Sequence, residues 1–350
     1  MDRYDAQSLE GFAATLLQRA GMHEDQARCT AHFLLEADLM GHTTHGLQLA
    51  GPYIKCIQAG DIRPDASIQV VRDTGVTATW DAGYLPGLWV THQAIEGLRD
   101  RAKGHGMASL SIRRCGHIAC LQAFLPEATR HGYLIILCCS DPSVRGVAPY
   151  GGREALITPD PIAIGIPTDA DPVLVDISST ITTIGNAMRT HEAGETMPGE
   201  WFLTAEGIPT NDPAALTTDP RGTILPIGGT EYGHKGFGLA LMVETLTQAL
   251  AGHGRADDVE TWGAGVYIQL IDPEAFGGSE AFLRQSTWLA AACVRSAPRP
   301  GVEAVRMPGQ AALAKKKDML RDGVTLHEAV LQTLTKWGAH FDVPMPAPME

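Results

Sequence analysis

The sequence predicts a mixed α/β fold with a helical N-terminal segment. Three observations support this prediction. Apolar residues recur at helical spacing through the first 60 residues, β-branched segments follow from Asp61 onward, and helical patterns separate several of those segments. Strands interleaved with helices are typical of a sheet that helices cover.

The N-terminal segment divides into three helices, each of which ends at a glycine. The ends are Gly21, Gly41 and Gly60, and acidic residues occupy the first turn of the second helix. His45 lies between the second and third helices, in the stretch DLMGHTTHG at 38–46. A titratable ring at a glycine junction is a candidate functional residue.

The strand-like segments are short and bounded by Gly, Pro or Asp. Helices are expected between several of them, at 90–104, 121–132 and 235–252, whereas 153–178 reads as consecutive strands. Residues 190–233 hold many Pro, Gly and Thr and predict a long ordered loop. The strand segments are SIQVV, VTATWDAG, MASLSIRR, YLIILCC, ALITPDPIAIGIP, PVLVDIS and VYIQLID.

These patterns predict three regions. Residues 1–75 form an N-terminal helical segment that carries His45, and 76–315 form an α/β region for ligand binding. Residues 316–350 are expected to form a C-terminal helix and a Pro-rich tail that packs back on the core.

Composition limits the possible partners. The net charge of −13 argues against nucleic acid, because a polyanion requires clustered Lys and Arg. The run KKK at 315–317 is interpreted as a solvated helix face. No signal peptide is recognisable, and no apolar stretch approaches the roughly 20 residues that a bilayer requires. We therefore expect a cytoplasmic protein that binds neither nucleic acid nor membrane.

The cysteines indicate reduced thiols. They number seven and are scattered, which is typical of a reducing compartment. Cys115, His117 and Cys120, with Cys138 and Cys139, could in principle form a zinc site, but their spacing matches no common pattern. Buried thiols that fill core space are the preferred interpretation, and no metal is expected.

The sequence contains no Rossmann fingerprint. G-x-G-x-x-G between a strand and a helix is absent, and the nearest stretch is GGTEYGHKGFGLALMVETL at 228–246. Free amides at a helix start beside Lys235 suit an anion such as phosphate. Close helix packing through the glycines, with Lys235 in solvent, explains the stretch equally well.

Several ordered motifs together resemble the malate/L-lactate dehydrogenase family of NAD(P)-dependent oxidoreductases, whose relatives include ureidoglycolate and sulfolactate dehydrogenases, diketogulonate reductase and piperideine/pyrroline-2-carboxylate reductases. The likeness extends from about residue 5 to residue 335. The motifs are DLMGHTTHGLQLAGPYIKCIQAG, RRCGHIACLQAF, VAPYGGREALITPDPIAIGIPT, LVDISSTITTIG, PTNDP, GTEYGHKGFGLALMVETLTQALAG and RMPGQ.

The resemblance implies a fold, a cofactor and a proton-transfer residue. The family binds NAD or NADP in a mixed-sheet domain that is not a Rossmann fold, and its members are typically homodimers. In its Ser-His-Gly motif the His moves the proton, which nominates His45, with Thr44 replacing the serine. Asp176 is the candidate carboxylate partner of His45. A strand-end aspartate that caps a turn is the alternative for Asp176.

The same resemblance implies a cofactor site built from separated segments. For His117, the residue taken alone favours a core or turn histidine, and the match to the family favours cofactor contact. His42 matches no family role and is interpreted as a surface or turn residue. The implied cofactor residues are His117, Ile118, Ala119, Ser178, Ser179, His234, Lys235, Pro308, Gly309 and Gln310.

Three departures from the family affect the substrate, which is expected to be a small carboxylic acid contacted by Leu49, Tyr53 and Asp160. Leu49 stands where many members have an Arg that holds a carboxylate, and leucine cannot form an ion pair. Asp160 replaces the Asn of Thr-Asn-Pro, and Gln310 the Glu of PGE. If Asp160 is ionised, it favours a cationic or imino substrate over a plain dicarboxylate.

The leading hypothesis is therefore an NAD(P)-dependent oxidoreductase that reduces a small 2-keto or cyclic 2-imino acid, or oxidises the 2-hydroxy acid. A catalytically weakened cofactor-binding protein on the same scaffold is the alternative, and a zinc-binding protein is the third.

Overall fold

The computed structural model describes residues 2–349. Its N-terminal segment holds α1 (Ala6–Arg19), α2 (Glu24–Leu39) and α3 (Ala50–Ala59). The Asp5 side chain caps α1 by accepting from Ser8 N–H at 2.8 Å. Gly60, with φ of 81°, ends α3 in the left-handed conformation that glycine tolerates. The three helices predicted before residue 60 are confirmed.

All seven predicted strand segments join one mixed sheet. Its order is β1-β2-β3-β10-β4-β5-β6; β2 and β3 are parallel, and the other neighbours are antiparallel. The last strand in sequence therefore lies in the middle of the sheet. The strands are β1 (Gln69–Asp73), β2 (Thr77–Asp81), β3 (Met107–Cys115), β4 (Leu134–Ser140), β5 (Ile162–Ile166), β6 (Val173–Ile177) and β10 (Ala264–Ile271).

The predicted internal helices are present, although their ends differ. The first is α4 (Gly87–His105), the second is a 3-10 turn followed by α5 (Leu125–Thr129), and the third is α8 (His234–Glu244). A π turn over Thr245–Ala249 extends α8 and accounts for the rest of the predicted range.

The segment 190–233 is more structured than a loop. It contains a three-stranded sheet, in the order β8-β7-β9, whose strands are only two residues long each. Such strands are too short to show an alternating pattern, which explains why the sequence did not predict them. They are β7 (Phe202–Leu203), β8 (Pro209–Thr210) and β9 (Thr223–Ile224), and the short helix α7 (Gly229–Tyr232) follows.

Three further helices were not delimited in advance or differ in extent. They are α6 (Ile184–Glu192), α9 (Ser279–Arg295) and α10 (Gln310–Asp322), while α11 (Glu328–Phe341) is the expected C-terminal helix. The interpretation of KKK as a solvated face was wrong for Lys316, which is partly buried, whereas Lys315 and Lys317 are exposed. Lys316 pairs with Glu36 at 2.5 Å and Lys317 with Asp171 at 2.8 Å, so α10 is tied to α2 and to the turn before β6.

One hydrophobic core joins the helices to the large sheet. It runs from Leu9 of α1 through Ile112 of β3 and Ile268 of β10 to Leu334 of α11. A smaller cluster around Phe202 and Ile224 lies under the short strands. Helices α1, α2 and α3 share this core with the sheet. The 38–53 motif connects α2 to α3, so both of its ends are packed against the core. No helix within residues 2–349 is long and apolar enough to cross a bilayer.

Candidate active site

His45 lies on a tight double turn between α2 and α3. Thr43–His45 and Leu47–Leu49 are consecutive 3-10 turns that meet at Gly46. The Thr44 hydroxyl lies 3.0 Å from His45 Nδ1 and leaves Nε2 as the ring nitrogen available to a ligand. Thr44 therefore supplies the hydroxyl contact that the sequence predicted.

The ring of His117 faces that of His45. The two centroids are 6.3 Å apart and the planes differ by 22°. Trp262 stacks on the other side of the cluster, with its ring centroid 4.7 Å from that of His117. Tyr53 Oη lies 2.9 Å from His117 Nδ1. Four rings from three distant parts of the chain thus meet at one place.

Both histidines are uncharged near neutral pH. Burial lowers the pKa of His45 to about 4, and the neighbouring His42 lowers it further. Burial, with a smaller effect from His45, lowers the pKa of His117 to about 3.

Asp176 does not hydrogen-bond to His45 in the described part of the chain. Its carboxylate accepts from the Gln122 backbone N–H at 2.8 Å and lies 3.9 Å from the Cys120 thiol. The expected pairing with His45 is therefore not what the structure shows: β6 directs Asp176 toward the 120–122 segment. The raised pKa of Asp176 comes chiefly from burial.

His42 belongs to the same polar network. Gln122 donates its side-chain N–H to the Leu174 carbonyl at 2.8 Å, so its carbonyl oxygen faces His42 Nε2 at 2.8 Å. An acceptor oxygen requires a donor, so His42 donates to it from Nε2. His42 is half-buried at the start of the 3-10 turn, consistent with its interpretation as a turn residue.

The Pro308–Gln310 turn packs on the strand that carries Asp176. Leu174 N–H donates to the Pro308 carbonyl at 3.1 Å, and a Cβ at Gly309 (φ +84°) would lie 2.6 Å from that of Leu174. A cleft of about 800 Å³ runs from this turn to His42 and Gln122. That volume is in the range of cofactor sites. Gln310 caps its own turn by accepting from Met307 N–H at 3.0 Å.

The start of α8 packs on the segment after Asp176. Ile227 N–H donates to the Ser179 carbonyl at 2.8 Å, and a Cβ at Gly236 would lie 2.7 Å from that oxygen. His234 and Lys235 open the helix on its exposed side, where Lys235 Nζ lies 5.4 Å from the Tyr232 ring centre. This geometry supports both earlier interpretations, since the glycines pack closely and Lys235 stays free for an anion.

The remaining predicted cofactor residues are mostly structural in their present contacts. Ser178 donates to the Thr180 carbonyl at 3.0 Å, and Ser179 donates to the Pro159 carbonyl at 2.7 Å. Ile118 is buried, and Ala119 adopts φ of +53°, which turns its N–H back toward His117 Nδ1 at 3.4 Å.

The three expected substrate residues occupy different environments. Leu49 is half-buried and packs on the core, while Tyr53 is 2% exposed and its hydroxyl serves His117. Asp160 is fully buried. Tyr53 and Asp160 are thus positioned behind the site surface rather than on it.

Asp160 belongs to a buried acidic pair. Thr158 donates to its Oδ1 at 2.6 Å, Oδ2 has no hydrogen-bond partner within the described chain, and Glu244 lies beside it. Burial, followed by the charge of Glu244, raises the pKa of Asp160. Glu244 itself forms an ion pair with Arg255, with 2.6 Å between its Oε1 and the guanidinium. The condition that Asp160 be ionised to favour a cationic substrate is therefore not met.

The cysteines are free thiols in the structure. Cys115, Cys120 and Cys138 are buried, and burial raises the pKa of each, to about 12 for Cys138. The side chains of residues 2–349 that come close enough to share an ion are His92, Glu96 and Glu127, and no cysteine is among them. This arrangement fits thiols that fill core space.

Three site residues were missed from the sequence: Trp262, Gln122 and Asp38. Trp262 could have been noticed as a lone tryptophan in the polar stretch DDVETWGAG. Gln122 and Asp38 carry no such signal, because Gln122 acquires its place through a hydrogen bond to distant Leu174, and Asp38 acquires its place through the fold of the turn at 42–49.

A mixed sheet without a dinucleotide fingerprint and two uncharged histidines face to face fit a dehydrogenase that lacks the Rossmann fold. Comparison with known proteins makes the assignment specific. The model of the malate/L-lactate dehydrogenase family matches residues 4–335, and the chain belongs to that family, whose members are NAD(P)-dependent dehydrogenases.

Similar proteins carry related names. Hydroxycarboxylate dehydrogenase B from Escherichia coli O157:H7 is 25% identical over 98% of this chain and 95% of its own length. L-Sulfolactate dehydrogenase from Methanothermobacter thermautotrophicus is 27% identical over 94% of both. The crystal structure of malate dehydrogenase from Entamoeba histolytica superposes with a TM-score of 0.92 at 23% identity, over 99% of both chains. The expected fold is confirmed, and the protein is an oxidoreductase of hydroxy acids.

Proposed function

We propose that this enzyme interconverts a small 2-hydroxy acid and its 2-oxo acid, or reduces the related cyclic 2-imino acid, with His45 moving the proton. The observation that carries the proposal is the pairing of His45 and His117, both uncharged. His42, three residues before His45, lines the cleft that reaches the Pro308–Gly309 turn.

The residues fit a nicotinamide dinucleotide. The Pro308–Gln310 turn, the Ser178–Ser179 segment and the start of α8 would hold it, and Lys235 offers a cation for a phosphate. When bound, nicotinamide supplies or accepts the hydride. Turnover measured with NADH and with NADPH distinguishes the two cofactors.

His45 would act as a base in the oxidative direction. Because its pKa is about 4, its ring is neutral at pH 7 and can accept the proton of a substrate hydroxyl. In the reductive direction the same ring would return the proton to the oxygen or nitrogen. A bound carboxylate beside the ring would raise the His45 pKa and favour this step.

The substrate is the less defined part of the proposal. The half-buried Leu49 offers apolar contact and no counter-charge for a second carboxylate. A monocarboxylate with an apolar side chain or ring therefore fits this position better than oxaloacetate. Because the buried Asp160 favours its neutral form, it does not single out cationic substrates.

A substrate panel tests the proposal. Pyruvate, oxaloacetate, piperideine-2-carboxylate and pyrroline-2-carboxylate are each assayed with NADH and NADPH, and the corresponding 2-hydroxy acids are assayed with the oxidised cofactors. We expect turnover of a monocarboxylate. Exclusive reduction of oxaloacetate would contradict the substrate assignment, and cofactor binding without any turnover would favour the weakened-enzyme alternative.

The role of His45 is tested by substitution. His45→Ala is expected to abolish turnover and to leave most of the cofactor affinity in a fluorescence titration, because the Pro308–Gln310 turn, the Ser178–Ser179 segment and the start of α8 do not contact its ring. The exposed His131, substituted by Ala, serves as the matched control and should retain full activity. Normal turnover by His45→Ala would exclude it as the proton carrier.

We also propose that the enzyme is a homodimer, as the resemblance implies. Helix α9 buries none of its 17 residues, and Trp288 and Leu289 are 62% and 57% exposed. An apolar helix face of this kind is typical of a subunit contact.

A further inference from the structure

The carboxylate of Asp38 lies directly beneath the turn that carries His45. It accepts a hydrogen bond from the Leu47 backbone N–H at 2.7 Å, and its side chain is almost fully buried, with the residue 2% exposed. Asp38 belongs to the last turn of α2, so one carboxylate joins the end of one helix to the turn that begins the next.

Gly46 has no side chain because the carboxylate occupies that space. A Cβ built at Gly46 would overlap all three heavy atoms of the Asp38 carboxylate group. The φ of Gly46 is −95°, so the need for glycine here is steric and does not come from a left-handed backbone. Two independent observations, a hydrogen bond and a filled Cβ position, thus connect Asp38 to the two residues that follow His45.

We infer that Asp38 is a positioning residue for proton transfer: its ionised carboxylate holds the His45 turn in the orientation that the reaction requires. A hydrogen bond from N–H to an ionised acceptor is about twice as strong as one between neutral groups. The inference rests on the proposed role of His45, although its structural part can be tested without turnover.

Helix α10 connects this element to the cofactor turn. The helix begins at Gln310, directly after Pro308 and Gly309, and its Lys316 pairs with Glu36 at 2.5 Å. The Lys315 side chain crosses Gly41, where an added Cβ would lie 3.2 Å from Nζ. Lys315 therefore brings a positive charge to the end of α2 that holds Asp38.

The charges around Asp38 set its protonation. Burial raises the pKa of Asp38 to about 7, while the Leu47 hydrogen bond and the Lys315 charge oppose that rise. On the α1 side, Glu10 faces His32 of α2, and on the α4 side His92 faces Glu127 of α5. The titratable groups from the elements at the Asp38 end are Lys315, Lys316, His42 and His45.

The test compares the pH dependence of the oxidative reaction in four variants. In that direction His45 must be neutral, and its pKa of about 4 in the free enzyme lies below the range of pH 5.5 to 8. The part of any fall in kcat that Asp38→Asn removes therefore reports on Asp38. The variants are Asp38→Asn, Asp38→Ala, Lys315→Met and, as the control on the exposed start of α2, Glu24→Gln.

We expect kcat of the parent enzyme to fall on acidification through about pH 7, as the Asp38 carboxylate takes up a proton. Asp38→Asn keeps an acceptor oxygen but cannot ionise, so its kcat should not change with pH in this range and should stay near the lowered level of the acidified parent enzyme. Asp38→Ala should lower kcat by up to about 100-fold with KM and cofactor binding unchanged, since a small displacement of a catalytic group has effects of this size. Lys315→Met should move the fall to higher pH, and Glu24→Gln should match the parent enzyme.

A second measurement does not depend on turnover. The Cε1–H NMR signal of His45, assigned by its loss in His45→Ala, should show an inflection as Asp38 titrates, and Asp38→Asn should remove it. If no substrate is turned over, the proposed function is contradicted. The pH dependence of the His45 signal would still show whether Asp38 acts on His45. A parent-like pH profile and His45 signal in Asp38→Asn, or full kcat in Asp38→Ala, would overturn the inference. If Asp38→Ala does not fold, the Asn and Met variants decide it.

Discussion

The hydroxyl of Tyr53 lies 2.9 Å from Nδ1 of His117 and 3.3 Å from the carbonyl oxygen of the same residue. Ala119 N–H also approaches Nδ1, at 3.4 Å, so this nitrogen is an acceptor and the proton of neutral His117 is on Nε2. One buried tyrosine thereby fixes which nitrogen of His117 faces the cluster of rings.

Tyr53→Phe removes that contact while keeping the ring. We expect the free energy of unfolding to fall by about 1–2 kcal/mol, because a buried acceptor loses its better donor. Nitrogen-15 NMR of the imidazole should show a mixture of tautomers. Tyr133→Phe is the control, since the Tyr133 hydroxyl has no hydrogen-bond partner within residues 2–349. A single unchanged His117 tautomer in Tyr53→Phe would show that Ala119 alone suffices.

Substituting Gly46 should disturb the enzyme although the backbone there is unstrained. Gly46→Ala places a methyl group on the Asp38 carboxylate, and we expect a loss of about 1–3 kcal/mol in denaturant unfolding. Gly97→Ala in α4 meets no atom within 4 Å and should stabilise the protein by about 0.5–1 kcal/mol. Equal effects of the two substitutions would contradict the steric argument.

Asp160→Asn should change how stability depends on pH. In the parent enzyme, native Asp160 keeps its proton to higher pH than the unfolded chain, whose aspartates titrate near 3.9. The native state then binds more protons, so the free energy of unfolding contributed by this group falls as pH rises above about 4, through neutral and into the alkaline range.

The Asn variant cannot ionise and should be the more stable protein at pH 8, with an advantage that grows by at most about 1.4 kcal/mol per pH unit. Urea unfolding at several pH values measures it. The exposed carboxylate of Asp100, substituted by Asn, should leave the slope unchanged. An advantage that shrinks as pH rises would show that Asp160 is ionised in the native protein.

The exposed face of α9 gives a prediction about assembly. Trp288→Glu should convert a dimer to a monomer in sedimentation velocity, because a charge cannot be buried unpaired at a contact. Ile208→Glu, at a side chain that is 60% exposed on the short sheet, is the matched control. A parent protein that sediments as a monomer would refute the proposed dimer.

The large sheet could be predicted from the sequence because its strands are long enough to show β-branched enrichment between clear breaks. The order of the strands could not, since β10 pairs with β3 and β4 from more than a hundred residues away. The position of α9 could not be predicted either. None of its side chains is buried, so its apolar residues do not indicate which face contacts the sheet.

The site was only partly predictable for a related reason. His45 and His117 stand in local motifs, whereas Gln122 matters through a hydrogen bond to Leu174, 52 residues away. For Asp160 the sequence suggested a substrate contact that would favour a cationic group if the carboxylate were ionised, whereas its burial beside Glu244 favours the neutral acid.

The central place of β10 also bears on how the polypeptide matures during synthesis. Until residue 271 has left the ribosome, β3 and β4 each lack the strand that lies between them, and both present unpaired edges. The cofactor turn at 308–310 emerges later still. A nascent chain arrested before β10 would therefore carry every histidine of the site and yet have no continuous sheet to align them.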